Sequence, residues 1–132
     1  MGLILDTCIF IQAEKQNVPM NFDQWQADEE VHISVITAAE LLMGVHRANT
    51  EARRIKRSAF VEGIINEIPI IDFTIEVCRI HAEVYSYLAQ QGQLIGAHDL
   101  IIAATALTYG HALLTTNQRE FNRVPGLTVF SV

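Results

Sequence analysis

Short apolar runs alternate along this chain with longer stretches in which apolar residues recur every three or four positions. Leu3-Ile4-Leu5 is the first run and suits a buried parallel strand. Asp6-Thr7 then offers an N-cap for a short helix through Ile9, Phe10 and Ile11. Asn17 to Asn21, with Pro19, reads as a loop, and Val31 to Ser34 as a second strand. Thr37-Ala38-Ala39-Glu40 has the spacing of a capping box, which predicts a helix running toward Val45 with Glu40 in its first turn. Thr50 to Asn66 reads as a helix that ends in Ile64, Ile65 and Ile68 and is stopped by Pro69. Ile70, Ile71 and Phe73 make a third strand. Thr74 can cap a helix whose positions Val77, Ile80, His81, Val84, Tyr85 and Leu88 follow a 3.6-residue period, with Gly92 at its end. Gly96-Ala97-His98-Asp99 opens a helix that is apolar nearly all round, hence buried, and Gly110 closes it. Ala112 to Thr115 is a strand, Arg119 to Phe121 a short turn or helix, and Pro125-Gly126 leads into a last strand from Leu127 to Phe130.

Strands and helices in alternation predict an α/β fold with three α/β/α layers and a mostly parallel central sheet. The length of 132 residues fits a single domain over 1–132, with no internal repeat or linker. Half the residues are hydrophobic and 18% are charged, enough for a real core. The formal net charge of -6 argues against a protein that merely coats nucleic acid. It leaves room for a nuclease, because a metal site concentrates negative charge that bound cations offset. Two cysteines, Cys8 and Cys78, with no basic start and no export signal, read as reduced thiols in a cytoplasmic protein. No apolar run approaches a membrane span of ~20 residues.

Four polar residues fall where such a fold gathers them. Asp6 ends the first apolar run, Glu40 and Asp99 interrupt apolar helical stretches, and Asn117 follows the run at 112–115. Strand ends and helix starts of an open parallel sheet face one crevice. Three carboxylates there repel one another unless a cation joins them, and the cations that prefer oxygen ligands are Mg²⁺ and Mn²⁺. That pattern points to metal-dependent chemistry on a phosphate. Each residue also has an ordinary reading. Asp6 can be a plain N-cap, Asp99 an anion at a helix start, Glu40 a capping-box residue and Asn117 a turn residue. Three caps in one crevice are harder to explain than one. Asp99 precedes eight almost wholly apolar residues and has little reason to sit there as a cap.

Other candidates carry less. No Cys/His spacing of a zinc site appears, nor a phosphate-binding glycine loop. Cys8 suits a buried position, His81 a structural one and His98 solvent. The basic cluster from Arg47 to Arg57 reads as a solvated helix face, or as a contact for an RNA backbone or an acidic partner.

Four blocks in order carry a resemblance over essentially the whole chain. They are Leu5-Asp6-Thr7; Ile33 to Leu41, ending Thr37-Ala38-Ala39-Glu40-Leu41; Ile95 to Ala104, with Gly96-Ala97-His98-Asp99; and Leu114 to Phe121, followed by Val124-Pro125-Gly126-Leu127. The chain resembles PIN-domain ribonucleases, and more narrowly the VapC-type toxins of bacterial toxin–antitoxin pairs. The resemblance implies a metal-dependent endoribonuclease that cuts structured RNA, transfer or ribosomal, and so inhibits translation. It implies that Asp6, Glu40 and Asp99 hold Mg²⁺ or Mn²⁺, that Asn117 takes the place of a fourth acidic or polar residue, and that Thr7 and Thr115 orient the carboxylates. It further implies a homodimer blocked by a cognate antitoxin whose tail fills the acidic groove. Two departures stand out. Cys8 replaces the Asn or Ser common after Asp-Thr, and Asn117 is neutral where some relatives have Asp, which favours one tight metal.

Two rival functions remain in view. One is a phosphatase of the haloacid-dehalogenase type, which would use Asp6 as nucleophile. It wants a second Asp two residues on, where this chain has Cys8, and a lysine, of which none follows Lys56. The other is a non-enzymatic interaction module whose carboxylates are only caps.

Overall fold

The computed structural model describes residues 2–17 and 30–132. Five strands form one parallel sheet in the order β3-β2-β1-β4-β5. The strands are β1 (Leu3–Leu5), β2 (Val31–Ser34), β3 (Ile70–Ile71), β4 (Ala112–Thr115) and β5 (Val129–Ser131). The helices among the described residues are α1 (Thr7–Lys15), α2 (Val35–His46), α3 (Glu51–Glu67), α4 (Ile75–Gln90), α5 (Ala97–Tyr109) and the short α6 (Gln118–Phe121).

The period of two along β1 decides the layers. Leu3 and Leu5 point to one face and pack with Phe10 of α1, Leu41 and Val45 of α2, and Val61 and Ile64 of α3. Ile4, between them, points to the other face and packs with Val84 and Leu88 of α4, Ile102 and Ala106 of α5, and Phe121 of α6. Sandwiched in this way, β1 has no polar face. Its residues are therefore uniformly apolar, as a strand covered on both sides requires. The expected three-layer arrangement is thus observed, and every strand pair is parallel.

Local chemistry sets the helix ends. Thr50 caps α3 by accepting from Arg53 N at 3.1 Å, and Thr74 caps α4 by accepting from Val77 N at 3.4 Å. Ile68 is extended (φ -109, ψ 126), as a residue before proline must be, and α3 stops there. Gly92 and Gly110 take φ of 66 and 67 beyond the ends of α4 and α5, a left-handed turn that a side chain would strain.

Three expectations change. The helix bearing Glu40 starts at Val35, not at Thr37. Its N-cap is Ser34, whose Oγ accepts from Ile36 N at 3.2 Å. Glu40 therefore lies in the second turn and caps nothing. Strand β3 ends at Ile71, leaving Phe73 outside the sheet and 41% exposed. The last strand begins at Val129 rather than Leu127, although the Thr128 carbonyl already accepts from Leu113 N at 2.9 Å. Of the loop expected at 17–21 only Asn17 is described, at φ 53; residues 18–21 lie outside the described residues. Among the described residues no helix is long and apolar enough to cross a membrane.

Candidate active site

Strand order reverses around β1, since the chain moves outward through β2 and β3 on one side and through β4 and β5 on the other. The crevice at the carboxyl ends of β1 and β4 is the switch point, where ligands of open α/β sheets bind. Asp6 follows β1 immediately, Thr115 ends β4, and α2 and α5 bring Glu40 and Asp99 to the same edge.

Asp6 is buried, with 4% of its surface exposed, and both its oxygens are engaged. Oδ1 accepts from Thr7 N at 2.8 Å, so the capping role is real. Oδ2 accepts the Thr115 hydroxyl at 2.7 Å and the Cys8 thiol at 3.2 Å. A cap needs only one oxygen. The second is held by a strand 109 residues away in sequence, which a cap does not require. Cys8 in turn receives Thr116 N–H at 3.4 Å. Burial pushes its thiol pKa up, with the neighbouring Asp6 charge adding to the rise, so Cys8 stays protonated and can donate. Cys8 thus does more than pack.

Glu40 is held from α1. Its Oε1 accepts the Thr7 hydroxyl at 2.7 Å, and that hydroxyl also lies 3.0 Å from the fully buried Thr37 hydroxyl. A hydroxyl has one proton, and the carboxylate can only accept. Thr7 therefore donates to Glu40, and Thr37 donates to Thr7. The residue read from sequence as a helix cap is instead the back of a relay that fixes Glu40. On the outer side His98 Nδ1 stands 3.4 Å from Glu40 Oε2, so His98 is solvent-exposed yet borders the site.

Asp99 occupies the first turn of α5, behind the Gly96 N-cap, which gives no side-chain cap bond. A helix start should favour the anion. The opposite is found, for the Asp99 pKa is raised from 3.8 to about 6. Burial is the main cause, followed by the charges of Asp6, Glu120 and Glu40, with His98 opposing. Asp99, unlike Asp6 and Glu40, accepts no hydrogen bond from a side chain among the described residues.

Asn117 lies at the mouth, its backbone N–H donating to Thr115 Oγ1 at 2.9 Å and its Nδ2 to Glu120 Oε2 at 3.1 Å. Glu120 was not singled out from the sequence. Its signal was there, three residues after Asn117 at the start of a short helix, but that spacing reads as a local capping pair. Only the fold shows that this carboxylate adds to the field on Asp99.

The donor set suits a hard divalent cation. It consists of carboxylate oxygens with no thiolate or imidazole cluster, and it carries repulsion that a cation would relieve. As the side chains stand, no three His, Cys, Asp or Glu among the described residues are close enough to hold an ion. The expectation of carboxylates already gathered for a cation is corrected to that extent. Asp6 and Glu40 are pinned to their own donors, and uncompensated like charges keep apart.

A PIN-domain model matches residues 3–127. The chain is 43% identical over 132 residues to ribonuclease VapC1 of Rickettsia felis, covering 100% of this chain and 97% of that protein. It is 30% identical over 125 residues to the tRNA(fMet)-specific endonuclease VapC of Salmonella typhimurium, covering 94% of this chain and 91% of the relative. Among solved structures, VapBC2 from Rickettsia felis bound to a DNA fragment from its promoter superposes with a TM-score of 0.89 at 28% identity, over 100% of this chain and 99% of that one. The chain belongs to the PIN-domain family, among the VapC ribonucleases of toxin–antitoxin systems. An antitoxin partner comes with that membership. The phosphatase and the non-enzymatic module are not favoured.

Proposed function

We propose that this protein is a Mg²⁺- or Mn²⁺-dependent endoribonuclease toxin, one PIN domain over 1–132, that cleaves structured RNA (tRNA or rRNA) and works as a homodimer. The observation that carries the reading is Asp99, a carboxylate at a helix start whose pKa is pushed up to about 6 by burial and by three other carboxylates. A carboxylate so placed supports a cation site over a plain cap.

Asp6, Glu40 and Asp99 would hold the metal, with Asn117 and Glu120 at the rim. A divalent cation bound there would supply charge neutralisation at the scissile phosphate and would lower the pKa of a water for attack. The rest is the work of this chain. Thr115 and Cys8 fix the Asp6 carboxylate, and Thr7, backed by Thr37, fixes that of Glu40. His98 restrains the outer Glu40 oxygen. Asn117 holds Glu120 by its side-chain amide and is itself tied to Thr115. Inhibition by the antitoxin then has a simple form, a basic side chain inserted among the carboxylates in place of the cation.

The test is cleavage of tRNA and rRNA by purified protein with and without Mn²⁺, with the ends of the products sequenced. Metal-dependent cuts at defined positions, lost in Asp99→Asn, are expected. Equal cleavage by Asp99→Asn, or cleavage unaffected by a chelator, would refute the reading. Sedimentation of the isolated toxin checks the dimer.

A further inference from the structure

Within an acidic chain, one helix end is strongly basic. Five of the nine Lys and Arg residues lie between Arg47 and Arg57, and only one of the fifteen acidic residues, Glu51, falls in that interval. The structure divides this cluster into two parts. Arg57 is turned inward and used within the molecule. Its Nε bonds Glu14 Oε1 at 3.0 Å and its Nη1 bonds the Gly44 carbonyl at 2.9 Å, stapling α3 to the ends of α1 and α2. Arg53, Arg54 and Lys56 are exposed, and among the described residues no carboxylate lies within 4.0 Å of any of them. The Arg53 guanidinium bonds the neutral Asn49 Oδ1 at 2.8 Å, which leaves its charge uncompensated among the described residues.

The position of this turn matters as much as its charge. Gly44, where Arg57 docks, is four residues after Glu40 on α2, about 6 Å along the helix axis. The basic turn of α3 is thus anchored roughly one helical turn from a carboxylate of the crevice. An anionic RNA approaching a chain of net charge -6, through a mouth of four carboxylates, is repelled by most of its surface. A cation in the site offsets that only locally. Contacts to phosphates position a nucleic acid, and their number sets its affinity. Arg47, after α2, is also exposed, whereas the arginines outside the cluster, Arg79 on α4 and Arg119 and Arg123 at α6, are scattered by comparison.

We propose that Arg53, Arg54 and Lys56 on the first turns of α3 form a phosphate-backbone binding surface that holds the RNA substrate while the crevice cuts it. The inference rests on the ribonuclease reading and deepens it by assigning where the substrate is held. Arg57 organises the surface without touching RNA.

The experiment is filter binding of total tRNA in the presence of a chelator, at several KCl concentrations, so that no cleavage is needed. The parent is compared with Arg53→Gln/Arg54→Gln/Lys56→Gln. Loss of three phosphate contacts should make the plot of log affinity against log salt shallower by about 2, and lower affinity at low salt about tenfold or more. Replacing both arginines by lysine keeps the charge and should keep the slope. The three single Gln variants, each expected to remove about a third of the change, keep the test readable should the triple variant fold poorly. A triple variant with parental affinity and slope would overturn the proposal, as would a parent that binds no tRNA. A triple variant that binds tRNA normally but no longer retains its antitoxin would assign this face to the protein partner, and would equally overturn it. A parent that binds with the stated slope yet never cleaves supports the surface and counts against the nuclease reading alone.

Discussion

The two ends of the sheet solve the same electrostatic problem in opposite ways. At the carboxyl end, Asp99 is half-buried among Asp6, Glu120 and Glu40, and its pKa rises to about 6. At the amino end, His32 of β2 and His111 before β4 stack with ring centroids 5.0 Å apart and planes 12° from parallel. His111 Nδ1 accepts Gly2 N–H at 3.1 Å, so its proton sits on Nε2 in the neutral ring. Burial, then His32, lowers the His111 pKa, against an opposing pull from Glu30. Both ends disfavour charge. At the histidine end, His111 meets the penalty with a lowered pKa and stacks on His32. At the carboxylate end Asp6 is held by the Thr115 hydroxyl and the Cys8 thiol, and Glu40 by the Thr7 hydroxyl, all of them neutral donors that bring no countercharge. The histidine end still leaves one buried atom, His32 Nδ1, without a hydrogen-bond partner among the described residues, and the carboxylate end leaves its charges facing one another.

The largest expected effect breaks the carboxylate end. Asp99→Asn should lower RNA cleavage at least about a hundred-fold, the scale of losing a group that holds a metal. Removing one of several mutually repelling charges should leave the metal-free melting temperature equal to or above that of the parent. It should also reduce the stabilisation gained on adding Mn²⁺, by linkage. Calorimetry with and without metal checks both, and a large metal-free destabilisation would contradict the repulsion argument.

Next comes a change at the amino end. A Cβ at Gly2 would stand 2.6 Å from His111 Nδ1 and 2.7 Å from its Cε1, inside contact distance of a stacked ring. Gly2→Ala should cost roughly 1–3 kcal/mol, as overpacking does, and lower the melting temperature by several degrees. The same variant should keep its Mn²⁺ requirement, since the two ends lie at opposite edges of the sheet. A shifted metal requirement would show the ends to be coupled.

Acidification sharpens the contrast. Asp99 has a folded pKa above its unfolded value, so its stabilising contribution is present below about pH 3.8 and is lost as pH rises through about 6. His111 has a folded pKa below 6.5, so its contribution is present above that value and is lost as pH falls through the folded pKa. The two ends thus pull in opposite directions between pH 7 and 5. Metal-free melting temperatures of Asp99→Asn should fall more steeply over this range than those of the parent. Parallel curves would mean that Asp99 does not titrate there.

The smallest effect concerns Cys8. Cys8→Ala removes one of two side-chain donors to Asp6 Oδ2 and should raise the Mn²⁺ concentration for half-maximal cleavage by up to about tenfold. Cys8→Ser keeps a donor and should stay close to the parent. Identical metal requirements in all three proteins would leave Thr115 as the sole support of that oxygen.

These comparisons also separate what could be read from the chain and what could not. The element order was legible because burial on two faces forces apolar runs on strands such as β1, and because caps and glycines mark helix ends locally, as Thr50, Thr74, Gly92 and Gly110 do. The candidate positions Asp6, Glu40 and Asp99 stood out because carboxylates interrupt or end apolar segments, and Asn117 because it follows the apolar run of β4. Boundaries with equal local claims were misread. Ser34 and Thr37 are both good caps, and the choice fell to Ser34 because β2 ends there and Thr37 is used to hold Thr7. Glu120 was missed because a local pairing with Asn117 explains its spacing equally well.

By itself, then, the sequence determined the alternation of strands and helices, the apolar faces and the types of group available for chemistry, all of which are short-range properties of pattern and propensity. Tertiary structure decided which oxygens share a field and which donor holds each of them. It also decided that Arg57 is an internal staple while its three neighbours face outward. Those outcomes depend on distances between residues up to 109 positions apart, such as Thr115 and Asp6, and electrostatic energies vary with distance and burial that no local pattern encodes.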